Sequence, residues 1–103
     1  MKIQVNTDKN IAGSARQESY VEEKVNNALK HYVDKVSRVE VHMSDQNADK
    51  EGSDDIQCRI ELRVKGLSPV LVESRDETQD KALSGALSKA KARLRTIIGK
   101  MKD

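Results

Sequence analysis

Apolar residues recur along this chain in two periods, and the switches between them outline six elements. Residues 2 to 6 alternate Ile3 and Val5 with polar neighbours, a short strand. Residues 7 to 14 are turn-rich; Ser14, with Gln17 three places on, forms a capping-box pattern at the start of a helix predicted over 15 to 35. Its apolar stripe is Val21, Val25, Ala28, Tyr32 and Val36. A second strand is predicted at about 38 to 44, with Val39, Val41 and Met43 inward and Arg38, Glu40 and His42 outward. After a polar, acidic loop at 45 to 55, Ile56, Cys58, Ile60, Leu62 and Val64 alternate strictly with polar residues. A turn at Lys65-Gly66-Leu67-Ser68-Pro69 leads to a fourth strand near 70 to 73. Ser74 and Glu77 form a second capping-box pattern before a helix predicted from about 76 to 100. There Leu83, Leu87, Ala90, Leu94, Ile97 and Met101 fall within about 40° of one line at roughly 100° per residue. Gly99 is read as the C-terminal cap of this helix.

The order is β-α-β-β-β-α, an α+β class. A helix joins the first two strands, which makes them parallel with a right-handed crossover. Short connections make strands two to four an antiparallel meander. One apolar sheet face needs cover and both helices offer apolar stripes, so both are expected on that face, leaving Arg38, Glu40, His42, Arg59, Glu61 and Arg63 wet. The 103 residues fit one domain, expected to span 1–103. With no Phe or Trp, its core is aliphatic.

Charge changes the picture more than composition does. The net charge is only +2, yet residues 81–102 hold seven basic side chains (Lys81, Lys89, Lys91, Arg93, Arg95, Lys100, Lys102) and no acidic one. The remainder holds twelve basic and seventeen acidic. The basic residues lie about 80° or more from the apolar seam, so the last helix has a dry side and a cationic outer surface. Such a surface suits an anionic partner docked in one place, although a solvated helix face has the same composition. Single-stranded nucleic acid calls for aromatic stacking platforms, and this chain has only Tyr20 and Tyr32. Structured RNA, read through phosphates and 2′-hydroxyls, makes no such demand.

Catalytic chemistry has little to stand on. His31 and His42 lack partners at a diagnostic spacing, and Cys58 falls on an apolar strand face, where a thiol is a small hydrophobe. Asp45, Asn47 and Asp49 have the spacing of a calcium loop, but Lys50 and Ile56 stand where that loop needs Gly and Glu. No enzyme activity, cofactor, metal or small-molecule substrate is expected. No apolar run approaches a membrane span, Met1–Val5 lacks the apolar stretch of a secretory signal, and the single cysteine suits a reducing compartment. The expected location is cytoplasmic.

The opening strand, Tyr20-Val21-Glu22-Glu23-Lys24, His31-Tyr32, Val39-Glu40-Val41-His42-Met43 and the basic last helix, in this order and at this length, resemble the ribosome hibernation-promoting factor family. That family includes ribosome-associated inhibitor A and the "sigma-54 modulation" proteins, and the chain looks like a short, divergent bacterial branch of it. The resemblance implies a fold similar to the double-stranded-RNA-binding domain with an added first strand. It also implies binding to small-subunit ribosomal RNA in the channel of messenger and transfer RNA, blocking translation in starved or stationary cells. Lys24 matches the family's helix-one lysine; Lys89, Leu94 and Arg95 match its last-helix run, with Lys91 and Arg93 basic where that run has other residues. The family's tyrosine near the start of helix two is absent, and Gln79 stands nearby. The resemblance is to the short form, so a C-terminal dimerisation domain is not expected. The RNA-binding set is then Lys24, Lys30, Lys81, Lys89, Lys91, Arg93, Arg95, Lys100 and Lys102. The alternative is a protein-interaction module acting through the acidic loop and the sheet face. Oligomeric state stays open.

Overall fold

The computed structural model describes residues 1–8, 15–45 and 55–101. The elements follow the expected order: β1 (Lys2–Thr7), α1 (Ala15–Ala28), β2 (Val36–Asp45), β3 (Ile56–Val64), β4 (Val70–Asp76) and α2 (Gln79–Met101), with a single 3-10 turn at Lys30–Tyr32. The strands form one sheet in the order β1-β2-β3-β4, with β1 parallel to β2 and the other pairs antiparallel.

Register stacks the inward side chains in rows across the strands. Val5, Val41, Ile60 and Val72 lie side by side, as do Ile3, Val39, Leu62 and Val70. Both helices cover this face, α1 over β1 and α2 over β3 and β4. Val21, Val25 and Leu29 from the α1 side and Leu83, Leu87, Ala90 and Leu94 from α2 are buried against it. Cross-strand contact between branched aliphatics, closed by two apolar stripes, holds this core without any large aromatic.

Five boundaries differ from the sequence reading. The first helix ends at Ala28 rather than 35, and Val36 is the first residue of β2. Leu29, fully buried, takes φ −109° and ψ 15°, and the chain then winds tighter: Tyr32 N–H donates to Leu29 C=O and Lys35 N–H to Tyr32 C=O, both at 2.9 Å. No glycine is available there for a left-handed cap, so a 3-10 turn uses the last carbonyls instead. The inward residue after Val25 is therefore Leu29, with Ala28 and Tyr32 only partly buried.

Strand β4 runs on to Asp76, so Ser74 is a strand residue and not a helix cap. The cap of α2 is Thr78, whose Oγ1 accepts from Lys81 N–H at 3.1 Å and whose carbonyl accepts from Ala82 N–H at 3.0 Å. Gly99 is inside α2, which continues to Met101. Near that end Ile98 is buried and Ile97 only partly so, while Ala82 and Ala86 widen the seam at the start. Small residues there let α2 lie close to β4: a Cβ added to Gly85 would sit 3.2 Å from Ser74 Cβ and closer still to its Oγ. The Ser14 cap and residues 46–54 of the acidic loop lie outside the described residues.

Candidate nucleic-acid interface

The two helices run parallel, because each leaves the same end of the sheet. A polar brace fixes their register. Gln17 Nε2 donates to Gln79 Oε1, and the Tyr20 hydroxyl and Lys24 Nζ both donate to Asp80 Oδ1 at 2.6 Å. Lys24 Nζ also reaches Ser84 Oγ at 2.6 Å and stands 5.8 Å from the centre of the Tyr20 ring. The hydrogen bonds from Lys24 and Tyr20 hold the Asp80 carboxyl below its ordinary value. The bond to Asp80 raises the Tyr20 hydroxyl; for Lys24 burial lowers it most, yet the bonds and charges of Asp80 and Tyr20 together raise it.

Below the brace, a groove of about 410 Å³ opens between the helices, lined by Lys24, Asn27, Ala28, Ser84, Leu87, Ser88 and Lys91. Helix α1 ends beside Ser88. The remainder of α2 continues for about 20 Å at 1.5 Å per residue with no helix alongside. Lys91, Arg93, Arg95 and Lys100 stand on this overhang, all exposed, with no ion pair among the described residues. Lys91 and Arg95 are one turn apart on the groove side; Arg93 and Lys100 are on the opposite flank. Lys30 is exposed on the 3-10 turn that follows α1.

The other sequence-predicted cations are less available. Lys24 belongs to the brace. Lys89 Nζ donates to the Glu73 carbonyl at 2.6 Å and ties α2 to the edge strand β4. Lys81 is at the far end of α2, 4.0 Å from Glu77 Oε2. Lys102 lies outside the described residues. The structure thus brings Lys91, Arg93, Arg95, Lys100 and Lys30 toward one end and gives Lys24 and Lys89 structural bonds. Only one sign of the brace was visible in the sequence, the i, i+4 spacing of Tyr20 and Lys24; their partner Asp80 is remote.

On the opposite face of the sheet, like charges sit across from each other: Arg38 faces Arg63 and Glu40 faces Glu61, with His42 opposite Arg59. Compensation runs mainly along the strands, Arg38 to Glu40 at 2.7 Å and Arg63 to Glu61 at 3.5 Å. Beside them is a concavity of about 470 Å³ at the upper end of the sheet, whose lining includes His42, Gln57, Arg59 and Leu71. Cys58 is fully buried on the inner face, where burial pushes its thiol up to about 12 and disfavours the thiolate. Among the described residues no group of His, Cys, Asp and Glu could hold a metal ion, and no helix is long and apolar enough to cross a membrane.

Solved structures share this fold, among them the following two. The N-terminal domain of Thermus thermophilus Protein Y aligns with a TM-score of 0.75 at 20% identity, over 94% of this chain and 99% of that one. A ribosomal subunit interface protein from Coxiella burnetii aligns with a TM-score of 0.73 at 13% identity, over 96% of this chain and 99% of that one. No curated protein matches the chain by sequence. Residues 4–102 match one family over nearly the whole length, and the chain belongs to it: the sigma 54 modulation protein / S30EA ribosomal protein family.

Proposed function

We propose that this protein is a ribosome hibernation factor that binds small-subunit ribosomal RNA in the cytoplasm and holds translation down. The observation that carries the reading is the set of exposed cations on the overhang of α2 that have no ion pair among the described residues, in a chain of this family. Cations free of internal partners can neutralise phosphates without first breaking an ion pair. Lys91, Arg93, Arg95 and Lys100 are the principal contacts, with Lys30 beside them. Lys24 sits at the mouth of the interhelical groove and orders it, while Lys89 and Lys81 contribute less because of their bonds and position. The scarcity of aromatic side chains supports a folded RNA target over a single strand.

Co-sedimentation of the purified protein with 30S, 50S and 70S particles across a salt series tests this. Pelleting with 30S and 70S is expected, with a log–log slope of roughly −3 to −5 for about four to six phosphates. A protein that stays in the supernatant at low salt would turn attention to the sheet face. There the like-charge rows Arg38/Arg63 and Glu40/Glu61 are costly in isolation and would suit a protein partner with complementary bands.

A further inference from the structure

The topology sorts charge between the two ends of the molecule. Strands β1, β2 and β4 finish, and β3 and both helices begin, at an end that carries Asp8, Glu18, Asp45, Asp55, Asp76, Glu77 and Asp80. At the opposite end α1 gives way to the 3-10 turn, β3 hands over to the β4 turn, and α2 finishes. Two loops meet there: Lys65 N–H donates to Lys35 C=O at 2.9 Å, next to the Val36–Val64 pair. Together, residues 30–35 and 65–69 carry Lys30, Lys35 and Lys65 against one acid, Asp34. Between the lysines stand two exposed apolar side chains, Val33 at 43% and Leu67 at 45%. Leu67 is presented by the turn at Gly66, whose φ of 79° suits glycine.

Helix stabilisation accounts for part of this polarity. Acids at helix starts and cations at helix ends complement the peptide dipoles. It does not account for Lys35 and Lys65, which are outside every helix and have no ion pair among the described residues. They lie at the end of the fold where α2 finishes, beside the 3-10 turn and in the β3–β4 turn.

We infer that the tip formed by residues 30–35 and 65–67 is a second RNA contact, in which Lys35 and Lys65 neutralise phosphates and Val33 and Leu67 meet sugar or base faces. This rests on the RNA-binding reading above. It makes the molecule approach RNA end-on, with its acidic end held away.

The test compares Lys35→Gln/Lys65→Gln with a variant carrying the same charge change at the acidic end, Arg16→Gln/Arg75→Gln. Both are measured by 30S co-sedimentation over salt, with thermal melts confirming the fold. The tip variant is expected to bind roughly 10- to 60-fold more weakly at 0.1 M salt and to lose about 1.8 from the slope, two contacts at about 0.9 each. The acidic-end variant is expected to keep the native slope. An unchanged slope in the tip variant, or an equal loss in both, overturns the tip contact and leaves the α2 reading standing. Wild-type protein that does not pellet at all overturns both.

Discussion

The triple variant Lys91→Glu, Arg93→Glu, Arg95→Glu is expected to lose ribosome association while its melting curve stays close to wild type. The three side chains are exposed on the overhang of α2 and have no ion pair among the described residues, so reversing them breaks none of the ion pairs described. Each lost phosphate contact removes about 0.9 from the salt slope, and three remove about 2.7. At 0.1 M salt that is about a 500-fold loss of affinity before the repulsion of three new carboxylates is added. Co-sedimentation with 30S at 0.1 M salt and a thermal melt of the same preparation read the two halves of this expectation. Retained pelleting would move the interface off α2. A large fall in melting temperature would mean that the outer surface of α2 contributes to folding, which nothing in its packing suggests.

The second large effect concerns the core. Ile60→Ala is expected to destabilise the domain by about 3–4 kcal/mol. Ile60 is fully buried at the centre of β3, between Val41 on one side and Val72 on the other, under the seam of α2. All its large neighbours are aliphatic, and both flanking strands are pinned by their own ladders, so the hole cannot close well. Against a total of about 5–15 kcal/mol, a loss of that size lowers the melting temperature by roughly 12–32 °C. A shift of only a few degrees in a calorimetric scan would show that the inner row repacks.

Most of the fold was legible because burial is one-sided. A strand with one wet face must alternate; β3 does so throughout and β2 from Val39 to Met43, after a register shift between Val36 and Arg38. A long helix over a sheet must repeat at three and four, and α2 does. The misplaced boundaries fall where burial stops discriminating. Residues Glu73 to Asp76 are polar and only partly covered, so their alternation gives no hydrophobic signal, and β4 was read three residues short. Ser74 then looked like a cap, although its actual neighbour is Gly85 across the fold. At the end of α1, Ala28, Tyr32 and Val36 keep a helical spacing that the backbone does not, because Leu29 turns inward first. The candidate interface was legible as a charge count and not as an arrangement. Sequence spacing separates a basic surface from an apolar seam, but the bonds of Lys24 to Asp80 and of Lys89 to the Glu73 carbonyl join residues 56 and 16 positions apart.

The pairing of β1 has a consequence for how the chain reaches this structure. Lys2 finds its partner Arg38 thirty-six residues away, whereas Leu62 and Val70 are only eight apart. Closing the longer loop costs about 1.3 kcal/mol more chain entropy, and β1 returns less for it, being a six-residue edge strand whose inward residues Ile3 and Val5 are only partly buried. The meander of β2, β3 and β4 under α2 therefore assembles first, and β1 docks onto a preformed edge. In pulse-labelled refolding, the amides of β1 should gain protection after those of β3 and β4; simultaneous protection would mean that the parallel pair belongs to the folding nucleus. Until β1 arrives, β2 has an open edge that another strand can occupy, so crowding by like chains is most hazardous in that interval.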